Sequence, residues 1–251
     1  MNTSKTIGNN IIYLTVISST NIYASQLIKE NKAEEGTVVI AKKQTSGKGQ
    51  AKNKWESEDG KNLTISIILS PIFLPVEKQF FLSKTVSLAI IDFLRELSID
   101  NLFIKWPNDI YVGKRKIAGI LIENSILGGK YVNVVIGIGL NINQTQFSKE
   151  IPNPVSLKLL SNKQYNIDDC LNILLNKIEA RYEQLKSLKY SIIDNEYLNV
   201  LLNFNVWANY LYNYKTIIAK VVGINKYGKL LLERKDNTII ECDLKEIKFI
   251  I

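Results

Sequence analysis

Residues 102–123 read LFIKWPNDIYVGKRKIAGILIE, and this stretch decides the class of fold. Its β-branched and aromatic residues predict short strands over Leu102–Trp106 and Ile110–Val112, on either side of the turn Pro107-Asn108-Asp109. A third strand is predicted over Ile117–Glu123. Strands that follow one another without a helix between them are not typical of a strictly alternating parallel α/β sheet.

The same criteria predict further elements on both sides of this stretch. The predicted strands are Ile11–Ile17, Thr37–Ala41, Leu63–Leu69 and Tyr131–Ile138, and the predicted helices are Ile22–Asn31, Glu77–Leu97, Val155–Leu160, Ile167–Leu188 and Ile192–Phe204. Strands and helices therefore mix without strict alternation, which favours an α+β fold with a mixed sheet and helices packed on one side of it. A doubly wound parallel sheet is the alternative.

The sequence pattern changes near Trp207, from helical periodicity to that of short strands. Strands are predicted over Thr216–Val222, Lys229–Glu233 and Thr238–Cys242, with glycine and asparagine turns between them. This part is too short for a confident independent core, so we expect a small barrel that leans on a larger domain. The predicted domains are residues 1–204 and 205–251.

Composition excludes several classes of function. The 251 residues include no histidine and two cysteines, Cys170 and Cys242. Ser-His-Asp catalysis, Cys-His catalysis and histidine-bearing metal sites are therefore excluded, whereas Mg²⁺ remains possible because it needs only a carboxylate and a substrate phosphate. With no disulfide framework, no signal sequence and no apolar run that would span a bilayer, we expect a cytoplasmic protein. The net charge of +8 fits nucleic-acid binding, a solvated lysine-rich surface, or a local site for an anion.

A lysine-rich loop favours the local site. Lys42–Trp55 reads KKQTSGKGQAKNKW, which contains five lysines, two glycines and no acidic residue. It is not a Walker P-loop, but glycines admit an anion close to backbone N–H groups, and lysines supply charge to phosphates. A mobile surface loop is the alternative.

Two further stretches carry polar groups beside apolar strands. Ile136–Asn143 (IGIGLNIN) lacks the third glycine of a dinucleotide motif, so we interpret it as backbone approached by a flat ligand, with Asn141 at the ligand edge. The alternative is a glycine-rich strand end. In IKWPND, Asp109 suits Mg²⁺ and Asn108 suits a phosphate, although this stretch taken alone is better explained as an Asx-type turn between strands. Lys116 opens an apolar strand, so its ammonium either faces a pocket or extends into solvent.

The order of these segments along the chain resembles the biotin protein ligases. The matching segments are SSTN, QTSGKGQ…W, GKNLTISIIL, KWPND, RKIAGILIE and VVIGIGLNIN. The small C-terminal barrel that begins near Trp207 also fits, so the resemblance covers essentially the whole chain. The resemblance implies a catalytic domain like that of class II aminoacyl-tRNA synthetases, followed by a small SH3-like β-barrel. It also implies that ATP and Mg²⁺ activate biotin as biotinyl-5′-adenylate, which then acylates a lysine of a biotin carboxyl carrier domain.

The resemblance also assigns roles to residues. Lys116 and Lys48 are the implied catalytic residues. The implied biotin-binding residues are Ser19, Thr20, Asn21, Gln44, Gly47, Lys48, Gly49, Gln50, Trp55, Gly119 and Leu121. The implied ATP-binding residues are Lys48, Asn108, Asp109, Lys116 and Asn141, with Asp109 as the Mg²⁺ ligand. We expect the lysine loop to be disordered without ligands and to fold over biotin and the adenylate.

The chain departs from the family pattern in that loop. The family has GRG followed by arginine or glutamine and then commonly Arg-Gly, whereas this chain has Lys48 in place of the arginine and then Ala51-Lys52. Because lysine does not reproduce the bidentate contacts of arginine, we expect weaker retention of the adenylate.

Other expectations concern partners and rivals. The first strand begins near Ile11, which leaves no room for a helix-turn-helix domain, so no DNA binding is expected. The chain is expected to be a monomer or a homodimer, in the latter case through Tyr131–Ile138 as an edge strand. The rival functions are a lipoate ligase, a non-catalytic basic module that binds RNA, and a degenerate enzyme that binds biotin without turnover.

Overall fold

The large sheet has seven strands, of which all but one pair are antiparallel. The computed structural model describes residues 5–50 and 53–250. The strands of this sheet are β1 (Ile11–Ile17), β2 (Val38–Gln44), β3 (Leu63–Leu69), β4 (Leu102–Lys105), β5 (Asp109–Val112), β6 (Arg115–Leu127) and β7 (Lys130–Leu140). Their order is β1-β2-β3-β7-β6-β5-β4, and only β1 and β2 pair in parallel. The predicted mixed sheet is confirmed, and the doubly wound alternative is wrong.

The strand that was expected at an edge lies inside the sheet. Residues Val134–Leu140 of β7 pair with β3 on one side and with β6 on the other. The prediction that Tyr131–Ile138 pairs across a two-fold axis is therefore wrong for most of its length, because its backbone groups are already used within the sheet. The two edge strands are β1 and β4.

Helices cover both faces of the large sheet, rather than one face as predicted. The helices are α1 (Thr20–Lys29), α2 (Phe80–Glu96), α3 (Leu157–Ser161), α4 (Ile167–Lys186) and α5 (Tyr190–Asn199). Successive residues of a strand point to opposite faces: Ile67 joins the main core with α2 and α4, whereas Ile68 packs with Ala24 and Leu27 of α1. No helix in the described part of the chain has the length and hydropathy needed to cross a bilayer.

Some helix boundaries differ from the prediction. A 3₁₀ turn at Val76–Lys78 precedes α2, so the helix begins at Phe80 rather than at Glu77. Helix α5 ends at Asn199 rather than at Phe204, and the chain then follows β4 through backbone bonds between Ile104 and residues 200 and 202. Backbone bonds to distant strands thus end elements that local sequence would extend.

The C-terminal part forms a second, five-stranded antiparallel sheet that is joined firmly to the first. Its strands are β8 (Trp207–Tyr212), β9 (Lys215–Ile224), β10 (Leu230–Arg234), β11 (Ile239–Cys242) and β12 (Ile247–Phe249), in the order β11-β10-β9-β8-β12. The sequence indicated the start of β8 and missed β12. The indole N–H of Trp106 donates to the backbone carbonyl of Gly228 at 2.8 Å. Apolar side chains of both sheets belong to one continuous buried cluster.

Candidate active site

A cavity of about 630 Å³ lies on the face of the large sheet opposite α2. Its floor contains Gly119 of β6 and Gly137 and Gly139 of β7, where Gly119 pairs with Gly139. Their neighbours Ile120 and Ile138 point to the other face and are buried in the main core. The alternation of glycine and isoleucine in IGIG therefore leaves a strip of bare backbone on one face and a packed core on the other.

A buried polar network forms the α1 end of the cavity. The Ser66 hydroxyl oxygen lies 2.6 Å from Asn21 Oδ1 and 2.7 Å from Thr20 Oγ1. The backbone N–H of Thr20 donates to Gln44 Oε1 at 2.7 Å. Together with Ser19 at the N-cap of α1, these side chains are held in fixed positions. Four residues that were predicted to bind biotin therefore line the cavity: Ser19, Thr20, Asn21 and Gln44.

Glu123 connects this network to the lysine loop and was not predicted. The Asn21 amide donates to Glu123 Oε2 at 2.7 Å, and Lys48 Nζ lies 3.7 Å from Glu123 Oε1. Glu123 lies on β6 two residues beyond Leu121, which lines the cavity from the same face. In the sequence, Glu123 ends the predicted strand Ile117–Glu123 and is indistinguishable from a solvated surface glutamate. Only its two-residue spacing from Leu121 could have indicated that it faces the cavity.

The described part of the lysine loop forms a narrow hairpin beside the cavity. The backbone N–H of Gly49 donates to Asn53 at 2.7 Å, and that of Trp55 donates to Gly47 at 3.0 Å. The cavity is lined by four loop residues that were predicted to bind ligands, Lys48, Gly49, Gln50 and Trp55. Gly47 does not line the cavity. A Cβ at this position would stand 2.3 Å from the Trp55 carbonyl oxygen, so the hairpin requires glycine there.

Two predictions about this loop are not decided by its geometry. Ala51 and Lys52, where the chain departs from the family pattern, lie outside the described residues. Ordering of the loop by ligands also stays a prediction.

The flat group on the glycine strip is the side chain of Trp55. A Cβ at Gly139 would stand 2.2 Å from Trp55 Cε2, and a Cβ at Gly119 would stand 3.2 Å from Trp55 Cζ3. Lys116 Nζ lies 5.7 Å from the indole centroid, within the range of a cation–π contact. The buried indole N–H has no acceptor among the described residues. The bare backbone is thus approached by an aromatic side chain, and its approach by a flat ligand stays a prediction.

Cations gather toward the β4 end of the cavity. Lys116 Nζ forms an ion pair of 2.6 Å with Asp109 Oδ1, and both residues line the cavity. Lys105, which lies opposite Asp109 in the β4–β5 pair, also lines it and was not predicted as a site residue. Burial lowers the pKa of the Lys105 ammonium and nearby Lys116 adds to this effect, while Asp109 opposes it. Burial likewise raises the pKa of the Tyr111 hydroxyl.

Asn108 and Asn141 were both predicted to bind ATP, and they lie in different places. Asn108 lines the cavity, and its amide donates to the Ile120 carbonyl at 2.6 Å, which fixes the turn. Asn141 is buried outside the cavity lining, and its amide donates to the Val155 carbonyl at 3.0 Å. The side chain of Asn141 thus supports the end of β7, and its contact with adenine remains untested.

The C-terminal sheet and a distant loop also contribute to the cavity, which local sequence could not reveal. These additional lining residues are Pro152, Asn153, Leu244, Lys245, Ile247, Lys248 and Phe249. Their distance along the chain from the glycine strip exceeds the reach of any local motif.

The carboxylate of Asp109 suits one divalent cation that is shared with a phosphate ligand. Asp109 is the single carboxylate among the described lining residues, and the described part of the chain contains no cluster of three or more potential metal ligands. Mg²⁺ is commonly held by one or two carboxylates together with substrate phosphates. The residues present therefore fit Mg²⁺ only as a partner of a bound nucleotide.

Comparison with known proteins agrees with this geometry. Residues 13–141 match the Biotin/lipoate A/B protein ligase family. The bifunctional ligase/repressor BirA of Bacillus spizizenii is 32% identical over 238 residues, which cover 93% of this chain and 72% of that protein. The biotin–acetyl-CoA-carboxylase ligase of Mycobacterium tuberculosis is 31% identical over 157 residues, which cover 61% of this chain and 56% of that protein.

A solved structure extends the similarity to the whole fold. Biotin protein ligase from Aquifex aeolicus, in complex with biotin and ATP, superposes with a TM-score of 0.79 at 26% identity, over 96% of this chain and 98% of that one. The match in sequence therefore coincides with a match in both sheets. On these grounds the chain belongs to the biotin/lipoate A/B protein ligase family.

Proposed function

We propose that this protein is a biotin–protein ligase that uses ATP to activate biotin and transfers it to a lysine of a carrier domain. The observation that carries the proposal is one cavity with a fixed polar network at one end, cations at the other end and, between them, a glycine strip against which Trp55 lies. The names of the relatives support biotin as the substrate, and the Aquifex complex supports biotin and ATP together.

The reaction requires little from the protein beyond electrostatics and positioning. A biotin carboxylate oxygen attacks the α-phosphorus of ATP, and pyrophosphate leaves with the electron pair of the broken P–O bond. The amine of the acceptor lysine then attacks the activated carbonyl, loses a proton and displaces AMP. Because a carboxylate is already a nucleophile, the first step needs no histidine. The two anionic substrates repel each other, and fixed cations in a secluded cavity offset this repulsion.

The roles of the residues follow from where they lie along the cavity. We assign Ser19, Thr20, Asn21 and Gln44 to the ureido ring of biotin, since their donors and acceptors are already oriented by one another. Lys116 and Lys48 then lie toward the carboxylate and the α-phosphate. The remaining lining residues are assigned as Gly49, Gln50, Trp55, Gly119 and Leu121 to the walls around biotin, and Asn108 and Asp109 to ATP. Gly47 and Asn141 do not line the cavity, and we assign them to biotin and ATP respectively from the family pattern alone.

Further parts of the proposal concern the metal, the partner and the assembly. Asp109 would hold Mg²⁺ together with the phosphates, and the ion would neutralise phosphate charge. The acceptor is the biotin carboxyl carrier domain of a carboxylase, as the name of the Mycobacterium relative suggests for that protein. We also propose a cytoplasmic protein, monomeric or homodimeric, that does not bind DNA; salt-resistant, sequence-selective binding in a gel shift would contradict this last point.

An exchange assay tests the central proposal. Pyrophosphate labelled with ³²P should enter ATP when biotin is present and not when lipoate replaces it. Lys116→Met should slow this exchange by about 10²- to 10³-fold, as expected for the loss of a charge that stabilises the transition state. Lys114→Met, which removes an exposed lysine two residues away, is the matched control and should not change the rate. Exchange with lipoate alone, or full activity of Lys116→Met, would contradict the proposal.

A further inference from the structure

The β4 end of the cavity holds lysines that form no ion pair with the described residues. Of the cavity lysines, Lys116 is paired with Asp109 and Lys48 with Glu123. Lys105, Lys245 and Lys248 also line the cavity, and no carboxylate of the described residues lies within 4.0 Å of their ammonium groups. This end of the cavity therefore carries positive charge that is available to an anionic ligand.

Lys105 is the best defined of these cations. Its Nζ lies 3.5 Å from the Tyr111 hydroxyl, 5.3 Å from the Tyr111 ring centroid and 5.9 Å from the ring centroid of Phe249. Both rings lie within cation–π range, and Phe249 belongs to the C-terminal sheet. The ammonium is therefore held between the two sheets by two aromatic rings, and it forms no ion pair with any of the described residues.

The order of strands in the large sheet indicates on which side of the α-phosphorus the pyrophosphate leaves. The polar network lies over β3 and β7, Lys116 is on β6, and Lys105 is on β4. With strands about 4.8 Å apart, β4 lies roughly 10 Å beyond β6, on the side away from the polar network. In phosphoryl and nucleotidyl transfer, the attacking and leaving oxygens stand on opposite sides of the phosphorus. If biotin attacks from the polar end, the leaving pyrophosphate must depart toward β4.

We propose that Lys105 binds the β- and γ-phosphates of ATP and the pyrophosphate that they become, as a residue of the leaving-group site. This inference rests on the proposed function and adds a substrate contact to it. Lys105 holds its charge where the leaving group gains negative charge, while Lys116 and Lys48 serve the reacting centre. Lys245 and Lys248 add to the same field from the C-terminal sheet.

Kinetics of Lys105→Met test the inference, because methionine keeps most of the side-chain length and removes the charge. We expect the KM for ATP and the inhibition constant of pyrophosphate each to rise by about 10- to 100-fold, the loss expected for a charge-assisted hydrogen bond. Biotin affinity, measured by calorimetry without nucleotide, should stay within about twofold. Lys105→Arg should keep most of the pyrophosphate affinity, and Lys235→Met, which removes an exposed lysine of the C-terminal sheet, should leave all constants unchanged.

The outcomes separate this inference from the proposed function. If the unmodified protein shows no biotin-dependent exchange, the proposed function fails. If it shows exchange and Lys105→Met keeps the original inhibition constant of pyrophosphate, the inference fails. A selective loss of transfer to the carrier domain would also overturn it, since Lys105 would then act on the acceptor. Thermal unfolding of each variant identifies any loss that comes from misfolding.

Discussion

Gly137→Ala tests whether bare backbone positions the polar network. The added Cβ would stand 2.3 Å from Asn21 Oδ1, whereas ordinary contact begins at 3.4 Å, so the two atoms must separate by about 1.1 Å, the difference between these distances. Asn21 is held by Ser66 at 2.6 Å and by Glu123 at 2.7 Å, and such a shift breaks both hydrogen bonds. At about 1 kcal/mol for each bond, the free energy of unfolding should fall by about 2 kcal/mol.

That loss is measurable in two assays. For a chain of this size, 2 kcal/mol lowers the Tm by about 4–8 °C in a thermal scan. Biotin affinity, measured by calorimetry, should fall at least about tenfold, because Asn21 no longer stands at its place in the cavity.

A matched substitution controls for the change in backbone entropy. At Gly223, also within a strand, an added Cβ meets only Leu231 Cδ1 at 3.8 Å. Gly223→Ala should therefore leave biotin affinity unchanged, and the Tm should stay the same or rise slightly as the unfolded chain loses entropy. A Gly137→Ala protein with unchanged Tm and unchanged biotin affinity would refute the reasoning.

Three further substitutions probe other contacts. Lys48→Arg should slow release of the adenylate, measured with labelled biotin in a filter assay, and an unchanged rate would contradict the idea that lysine retains it poorly. Glu123→Gln keeps an acceptor for Asn21 but loses the ion pair with Lys48; since both partners are more than one-third exposed, urea denaturation should show a loss below about 1 kcal/mol. Trp106→Phe leaves the carbonyl of Gly228 without its donor and should cost about 1–3 kcal/mol by the same method, a cost that a neutral result would disprove.

The elements predicted from sequence are those whose pattern is local. The β-branched runs of β1 and β3 give their observed bounds, Ile11–Ile17 and Leu63–Leu69, because each strand is a continuous apolar segment. Strand β12 was missed because its three residues are ordered by pairing with β8, some 35 positions earlier. The position of β7 between β3 and β6 was also missed, since the sequence shows a hairpin but not which strand covers its other side.

In the candidate site, too, local motifs were predicted and contacts between distant segments were not. The glycines of IGIG indicated a close approach to backbone, but not that Asn21 and Trp55 make it, because those contacts join segments more than 80 residues apart. Asp109 and Lys116 were proposed from a motif, and the structure brings them into contact. Lys105 lies in the same motif, but the residues around it in the sequence do not indicate that the Phe249 ring lies near its ammonium group.

The contacts between the two sheets predict that the molecule unfolds as a single unit. Gly228 accepts the Trp106 hydrogen bond, and a Cβ on this glycine would stand 2.7 Å from the Phe80 ring, so the C-terminal sheet fits directly against α2. Because the apolar interior also continues from one sheet into the other, we expect the two sheets to unfold together. Differential scanning calorimetry should therefore record one endotherm for the whole chain, and nucleotide binding should stabilise both sheets by the same amount.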